Sequence, residues 1–323
     1  MTHSPGSVLS ERPEGKAMEN RREESPVLYD VVIAGGGPAG LSAALTLGRA
    51  RRRVVVFDTG HPRNLASRGM HGYLSRDGIL PSDFLALGRE ELGRYGVEFH
   101  AEEITSACAA GREFAAVTAG GATFRARKLL IATGLVDRLP SLPGIREAFG
   151  RTVFHCPYCD GWEVREQPLG VLGRRRPAVE LAVALRQWSG DVTLLSNGPG
   201  RVTGSERALL AKHQVKIREE QVTALREPAG GMLAVEFRDR SAMSLRAIFV
   251  TYGYDQHSPL AHQLGCFLTQ KGVVRTDRFQ ETSTRGVYVV GDAARDMQMV
   301  VVAAAEGAKA AVAINKALLA EDL

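Results

Sequence analysis

The stretch YDVVIAGGGPAGLSAALTLGRARRRVVVFDTG, residues 29–60, contains a complete strand-helix-strand unit. Residues 29–34 alternate too little in polarity for a half-exposed strand and indicate a buried parallel one. Residues 41–49 have the composition of a helix, and residues 54–58 indicate the next strand. The stretch therefore predicts a βαβ unit, the building block of α/β folds with a parallel sheet.

The turn of this unit has the spacing G-x-G-x-x-G, which is typical of dinucleotide-binding sites. The first glycine makes the tight turn, the second lets the backbone approach a pyrophosphate, and the third lets helix pack on strand. The helix N-terminus then faces the phosphates. A carboxylate at the end of the second strand can accept hydrogen bonds from ribose hydroxyls. The predicted dinucleotide site comprises Gly35, Gly37, Pro38, Ala39, Gly40 and Asp58; a structural turn without ligand is the alternative.

The C-terminal part of the chain carries a second glycine turn. Residues 287–290 indicate a strand, followed by Gly291 and Asp292 and then by a long helix of small residues. A Gly-Asp turn is common on its own. Together with the first unit and LLIATG at residues 129–134, it resembles the second flavin-binding motif of FAD-dependent reductases. In those proteins the aspartate holds the ribityl chain, and a helix N-terminus stabilises charge on the reduced flavin.

From Tyr29 to its C-terminus the chain resembles the low-molecular-weight thioredoxin reductase family. The motifs that carry the resemblance are the first glycine turn, Ala132-Thr133-Gly134, HCPYCDGWE at residues 155–163, Gly291-Asp292 and Gln298. It implies an α/β fold of two Rossmann-like, three-layer ββα dinucleotide-binding domains, one inserted into the other. We expect a disordered tail at residues 1–28, an FAD domain at 29–138 plus 270–323, and an inserted NAD(P)-type domain at 139–269. The resemblance also implies bound FAD, contacts from Thr133, Gly134 and Gln298, and a homodimer.

Cys156 and Cys159 form a C-x-x-C motif with three interpretations. A structural zinc site needs two further ligands, and the sequence has no second C-x-x-C or close histidine pair. The intervening Pro-Tyr also matches glutaredoxins, but their small fold has no place between two dinucleotide-type units. The motif therefore predicts a redox dithiol that serves the flavin. A helix that opens at this motif lowers the thiol pKa, and one cysteine attacks substrate sulfur while the other resolves the mixed disulfide.

The family resemblance assigns roles around this dithiol. It places Cys159 against the flavin and Cys156 towards the substrate. Asp160 stands where the family keeps an acid for proton transfer, which is the role we expect; a charge in a first helical turn is the alternative. His155 either tunes the thiol or only packs.

The loop HPRNLASRGMHGYLSRDG, residues 61–78, departs from thioredoxin reductases proper. Its Arg-Asn and His-Gly pattern is similar to a side branch that includes flavin-dependent dithiol oxidases. Arg63, Asn64 and His71 are therefore candidates to line the flavin site. A plain surface loop is the alternative, since Gly and Asp are common in loops without function.

The inserted domain has a damaged nucleotide motif. The family's NADPH motif G-x-G-x-x-A aligns with Gly173, Arg175 and Ala178, so an arginine stands where the backbone should meet the pyrophosphate. Pro177 suits a first helical turn, so the fold can persist. Ser196-Asn197-Gly198 replaces the His-Arg-Arg run that grips the 2′-phosphate. We expect that NADPH does not bind in the family manner; another anion or an unusual nucleotide pose stays open.

Composition limits the partners and the compartment. The 323 residues are 44% apolar and 24% charged, with a net charge of +5. The basic residues are scattered apart from residues 51–53 and 174–176, which favours a solvated surface over nucleic-acid binding. No apolar run approaches the roughly 18 residues of a membrane span. Four cysteines without a disulfide framework indicate a reducing, cytoplasmic setting.

These observations predict an FAD-dependent dithiol/disulfide oxidoreductase whose electron partner is oxygen, ferredoxin or another flavin in place of NADPH. The substrate is a thioredoxin-like protein or a small dithiol or disulfide. Two alternatives stay open: an NADPH-dependent thioredoxin reductase with an atypical nucleotide site, and a non-catalytic flavoprotein whose redox state controls partner binding.

Overall fold

The computed structural model describes residues 1–2, 27–227, 230–295 and 297–323. Most of the predicted tail, residues 3–26, lies outside the described residues, and Leu28 already belongs to the first strand. The strands are β1 (Leu28–Ala34), β2 (Val54–Phe57), β3 (Glu98–His100), β4 (Ile104–Ala110), β5 (Glu113–Thr118), β6 (Thr123–Ile131), β7 (Leu135–Asp137), β8 (Val153–Phe154), β9 (Leu169–Leu172), β10 (Val192–Leu195), β11 (Lys216–Arg218), β12 (Val222–Arg226), β13 (Leu233–Phe237), β14 (Ala242–Leu245), β15 (Ala247–Val250), β16 (Tyr254–Gln256) and β17 (Val287–Val289).

The helices lie between these strands and at the C-terminus. They are α1 (Pro38–Arg49), α2 (Pro81–Gly93), α3 (Ile145–Ala148), α4 (Pro157–Asp160), α5 (Arg175–Ala184), α6 (Gly204–Lys212), α7 (Leu260–Gln263) and α8 (Val300–Asp322), with 3₁₀ turns at Trp162–Val164, Leu185–Gln187 and Gly291–Ala294. In the part of the chain that the structure describes, no helix is both long and apolar enough to cross a membrane.

The first domain is built on the sheet β3-β2-β1-β6-β5-β4, with β17 paired to β6. β1 runs parallel to β2 and β6, whereas β4, β5 and β6 form an antiparallel meander. α1 and α8 pack together over one face of this sheet. A side chain at Gly307 of α8 would collide with the carbonyl oxygen of Ala39, so this glycine lets the two helices approach closely.

The second domain repeats the same plan on a smaller scale. Its parallel sheet has the order β11-β10-β9-β15-β8, and β12, β13 and β14 form a separate antiparallel sheet. Two apolar cores flank the parallel sheet. The predicted α/β fold with two Rossmann-like domains is confirmed.

The chain passes between the two domains along a ribbon made by β7 and β16. These strands pair antiparallel, with Leu135 opposite Gln256 and Asp137 opposite Tyr254. After β16 the chain returns to the first domain, because Leu260 and Leu264 lie in the same core as Phe57. The second boundary therefore lies near residue 257, and the predicted boundary at residue 270 is too late.

Candidate active site

A cavity lies between the first glycine turn and the dithiol segment of the second domain. Predicted cofactor residues that line it are Gly35, Gly37, Pro38, Ala39, Asp58, Asn64, Thr133, Gly134, Gly291, Asp292 and Gln298. The predicted catalytic residues His155, Cys159 and Asp160 line the same cavity from the other domain. Residues from the two halves of the sequence thus meet at one place.

The three glycines of the first turn differ in their surroundings. Gly35 has a φ of +105°, and a side chain there would collide with the carbonyl of Ala132. A side chain at Gly40, which does not line the cavity, would collide with the carbonyl of Gly35, so helix and strand need this contact. At Gly37 no atom lies within 4 Å of the position of a Cβ. The turn therefore presents bare backbone to the cavity at its second glycine.

The residues around this turn fit an FAD molecule. The hydroxyl of Thr133 is buried at the cavity and has no hydrogen-bond partner within the described residues. Asp58 accepts hydrogen bonds from the backbone N–H groups of Gly36 and Gly60, each at 2.5 Å. Asp58 therefore also stabilises the backbone of the turn, a role that the sequence did not predict. A carboxylate has about four acceptor sites, so it can still accept ribose hydroxyls.

The loop that follows β2 places the guanidinium of Arg63 at the cavity. Arg63 Nε donates to Asp137 at 2.7 Å, and Arg63 Nη2 donates to the other oxygen of the same carboxylate. Arg63 Nη1 donates to Asp292 at 3.2 Å and to Gln298 at 2.5 Å. Burial raises the pKa of Asp292, and the charge of Arg63 opposes this shift. Asp137 was not foreseen as a site residue, because nothing around it in the sequence marks it.

Cys156 and Cys159 are joined in a disulfide with a Cα–Cα distance of 5.3 Å, which is ordinary for such a bond. Cys156 is the N-cap of α4, and Cys159 lines the cavity. α4 is a single turn, so only a few N–H groups stabilise a thiolate here, where the C-x-x-C motif predicts the start of a helix. The described residues contain no cluster of His, Cys, Asp and Glu that could hold a metal.

Asp160 is a carboxyl group that titrates near neutral pH. Burial, reinforced by the negative charge of Glu163, raises the pKa of Asp160 to about 7, and His71 opposes the shift. His71 Nε2 lies 3.5 Å from Glu163 Oε1, so the loop candidate His71 reaches this group through Glu163. An acid with a pKa near the working pH is suited to exchange protons. Glu163 was not foreseen as part of the site.

His155 is held in its neutral form. Burial and the charge of Arg63 lower the pKa of His155 to about 4, and Asp137 opposes them. The imidazole also stacks on Phe149, with ring centroids 6.2 Å apart and an interplanar angle of 21°. His155 therefore packs as a neutral ring, and its low pKa makes it a weak proton acceptor at neutral pH.

The second dinucleotide-type turn follows β9 and includes the start of α5. Only its outer positions have the residues of the nucleotide motif. A side chain at Gly173 would collide with Thr251, and Ala178 is fully buried. Arg175 has a φ of +61°, a conformation that favours glycine. All three arginines of residues 174–176 are exposed. At the central position of this turn, Arg175 therefore stands in place of the glycine of the nucleotide motif.

The residues after β10 are used within the domain itself. Ser196 Oγ donates to the carbonyl of Gly198 at 3.1 Å, and Asn197 Oδ1 accepts from the N–H of Val222 at 2.9 Å. The adjacent cleft has mixed charge; its charged lining residues are Arg174, Arg201, Glu219, Glu220, Arg238 and Asp239.

Comparison with known proteins places this architecture in a family. A family model described as pyridine nucleotide-disulphide oxidoreductase matches residues 29–307. A probable thioredoxin reductase from Arthroderma benhamiae is 33% identical over 302 residues, which cover 83% of this chain and 74% of the relative. The chain belongs to the thioredoxin reductase family. Thioredoxin reductase sirT from Leptosphaeria maculans is 31% identical, covering 92% of this chain and 97% of that protein.

Solved structures of the family agree with this assignment. The crystal structure of HlmI has a TM-score of 0.87 and 42% identity, covering 91% of this chain and 93% of HlmI. A putative thioredoxin reductase TrxB from Bacillus anthracis has a TM-score of 0.86 and 31% identity, covering 91% and 100%. The chain is thus a flavin-dependent oxidoreductase of the thioredoxin reductase type, with FAD as the family's cofactor.

Proposed function

We propose that this enzyme interconverts a dithiol and a disulfide through Cys156 and Cys159 and exchanges its electrons with a partner other than NADPH. The observation that carries the proposal is the contrast between the two turns. In the first turn, Gly37 has free space at the position of a Cβ, whereas the second turn has Arg175 at the corresponding position. Ser196 and Asn197, at the place of the family's 2′-phosphate grip, already have hydrogen-bond partners inside the domain.

In the oxidative direction, a substrate thiolate attacks the sulfur of Cys156 and breaks its bond to Cys159, which leaves as a thiolate. The second substrate thiol then attacks the mixed disulfide, and Cys156 leaves as a thiolate with release of the oxidised substrate. Each turnover removes two protons and two electrons from the substrate. When bound in the cavity that Cys159 lines, FAD would supply the two-electron acceptor for the dithiol.

The protons released by the two thiols need acceptors in the cavity. His155 is neutral at physiological pH, and with a pKa of about 4 it is too weak a base to take up the proton of an incoming thiol. Asp160 exchanges its proton near pH 7 and lies beside Cys159 in the chain. Proton exchange by Asp160 runs equally in reverse, so this residue suits oxidation and reduction alike.

The family implies a thioredoxin-like partner, and a small dithiol is our second candidate substrate. For the electrons we propose oxygen, ferredoxin or another reduced flavin. We further propose that Asn64, Thr133 and Gln298 hold the FAD together with the glycine turns, and that the enzyme is a homodimer, which sedimentation analysis would test.

An anaerobic titration tests the electron partner. The yellow protein is mixed with excess NADPH and, separately, with a dithiol such as dithiothreitol, and the visible flavin band is followed. We expect bleaching by the dithiol, no bleaching by NADPH, and return of the colour in air if oxygen is the acceptor. Rapid bleaching by NADPH would contradict the proposal. It would establish the alternative reductase, whose nucleotide phosphates Arg174, Arg201 and Arg238 could contact in the mixed-charge cleft.

A cysteine substitution tests the dithiol. Cys159→Ser is expected to abolish turnover of dithiols while the FAD stays bound, because Cys156 then has no partner for the disulfide that the substrate attacks. Cys108→Ser is a matched control, since Cys108 is an exposed free cysteine outside the cavity. Wild-type turnover by Cys159→Ser would rule out this mechanism.

A further inference from the structure

The ribbon between the two domains carries one ion pair on each side. Arg138 and Asp255 pair on its outer side, with side chains that are 63% and 57% exposed. Asp137, the neighbour of Arg138, instead pairs with Arg63 at the cavity, where the two side chains are only 13% and 16% exposed. The ribbon thus has a solvent side and a cavity side. On the cavity side, its Asp137 is bound by the guanidinium of Arg63.

Further backbone hydrogen bonds join the two strands of the ribbon at both of its ends. Besides the pairing of β7 with β16, the N–H of Arg138 donates to Gly253 at 2.8 Å and the N–H of His257 donates to Gly134 at 3.2 Å. Both passages of the chain between the domains run through this ribbon. A rotation of the second domain relative to the first must therefore move the ribbon or bend it at its ends.

The opposite side of Arg63 belongs to the first domain. Its Nη1 contacts Asp292 and Gln298, both in the segment between β17 and α8. The guanidinium therefore joins the ribbon to the wall of the cavity with a bidentate contact on one side and two single contacts on the other. Bidentate arginine–carboxylate pairs away from solvent are among the stronger polar contacts in proteins.

We propose that Arg63 is a positioning residue that fastens the ribbon to the cavity wall and thereby holds the dithiol of the second domain against the flavin. This inference rests on the proposed function, in which Cys159 faces the flavin. Only arginine provides a planar set of donors for Asp137, Asp292 and Gln298 together. A lysine at this position keeps the charge but cannot make all these contacts at once.

The test uses the absorbance that a thiolate gives when it lies against oxidised flavin. In a Cys156→Ser parent, only Cys159 can produce this long-wavelength charge-transfer band. The band is titrated with pH in the parent and in added Asp137→Asn, Arg63→Gln or Arg63→Lys variants, and its amplitude is divided by the bound FAD. The plateau at high pH reports how much thiolate lies at the flavin, whereas the midpoint reports the pKa of the thiol.

Asp137→Asn is the decisive variant because it weakens the ribbon side of the contact and leaves Asp292 and Gln298 in place. We expect the plateau amplitude, which reports the docked fraction of the dithiol, to fall to about half that of the parent or lower in all three variants. Arg138→Gln is the matched control, since it breaks the outer ion pair of the same ribbon without touching the cavity. Its plateau should equal that of the parent.

The outcomes separate this inference from the proposed function. If the parent itself shows no band with FAD bound, Cys159 does not face the flavin and the proposed function fails. If the parent shows the band and Asp137→Asn and Arg63→Gln keep its full plateau, the dithiol is held in place without Arg63 and the inference is overturned. A shift of the midpoint with an unchanged plateau also overturns it, because Arg63 would then act only through its charge.

Discussion

The two dinucleotide-type turns of this enzyme occupy equivalent places in two similar sheets. β1 lies beside β6 in the first domain, and β9 lies beside β15 in the second. In each domain a helix begins just after the glycine turn. A buried threonine hydroxyl without a partner among the described residues follows the neighbouring strand in both, Thr133 after β6 and Thr251 after β15. The two regions differ at the central turn position, Gly37 against Arg175.

This difference indicates which positions of the motif maintain the fold and which position faces the nucleotide. The outer residues Gly35 and Gly40 are packed so tightly that a side chain would collide with backbone, and Gly173 and Ala178 occupy similarly tight places. The central residue makes no such packing contact at Gly37. The outer positions therefore serve the packing of the fold, whether or not the turn binds a nucleotide.

The largest expected effect comes from giving the first turn the central residue of the second. Gly37→Arg should abolish FAD binding and leave a folded, colourless protein, because Gly37 has an ordinary φ of −72° and open space around it. The flavin-to-protein absorbance ratio measures the loss, and circular dichroism checks the fold. A yellow variant with one FAD per chain would show that an arginine at this position does not close such a turn.

The next effect concerns the proton exchange that only the first site needs. Asp160→Asn should slow anaerobic bleaching by a dithiol about a hundredfold. It should also remove the inflection near pH 7 from the pH–rate profile, because Asp160 has a pKa of about 7. Stopped-flow measurements between pH 5 and 9 test both points. Asp255→Asn is a control at an exposed carboxylate, and an unchanged inflection in Asp160→Asn would assign it to another group.

The raised pKa of Asp160 also predicts how the stability of the folded protein changes with pH. The pKa of Asp160 is raised from 3.8 to about 7 on folding, so the folded state keeps a proton that the unfolded chain loses. The wild type should therefore lose stability as pH rises between these two values and lose no more from this group above them. Asp160→Asn should lack this loss. Its melting temperature relative to the wild type should be higher at pH 8 than at pH 4, and a constant difference would contradict the shift.

The sequence predicted best what depends on neighbouring residues. The first βαβ unit and the place of the dithiol follow from local spacing, and the structure has both elements there. The partners of Arg63 could not be predicted, because Asp137 and Asp292 lie 74 and 229 positions away and no local pattern pairs them. The boundary at residue 270 was wrong for a similar reason. α7 is short, and only its packing in the first core shows to which domain it belongs.

A smaller effect is expected from the two threonines that follow equivalent strands. Thr133→Val removes a hydroxyl for which we expect FAD to be the partner, so the Kd for FAD should rise about tenfold. Thr251→Val removes the equivalent hydroxyl beside a turn that we expect to bind no nucleotide, so FAD affinity should not change and stability should stay equal or increase. Equal FAD affinity in Thr133→Val and the wild type would remove the hydroxyl of Thr133 from the FAD site.

The smallest effect is expected when the second turn receives the glycine of the first. Arg175→Gly removes a side chain from a residue with positive φ but gives the unfolded chain more freedom, so stability should change by less than about 1 kcal/mol. NADPH should still fail to bleach the flavin, because Ser196 and Asn197 keep their internal hydrogen bonds and offer no cation for a 2′-phosphate. Thermal melting and the anaerobic NADPH titration measure these outcomes. If Arg175→Gly were bleached by NADPH while the wild type was not, one side chain would be the whole barrier, and the rest of the second site would be an intact nucleotide site.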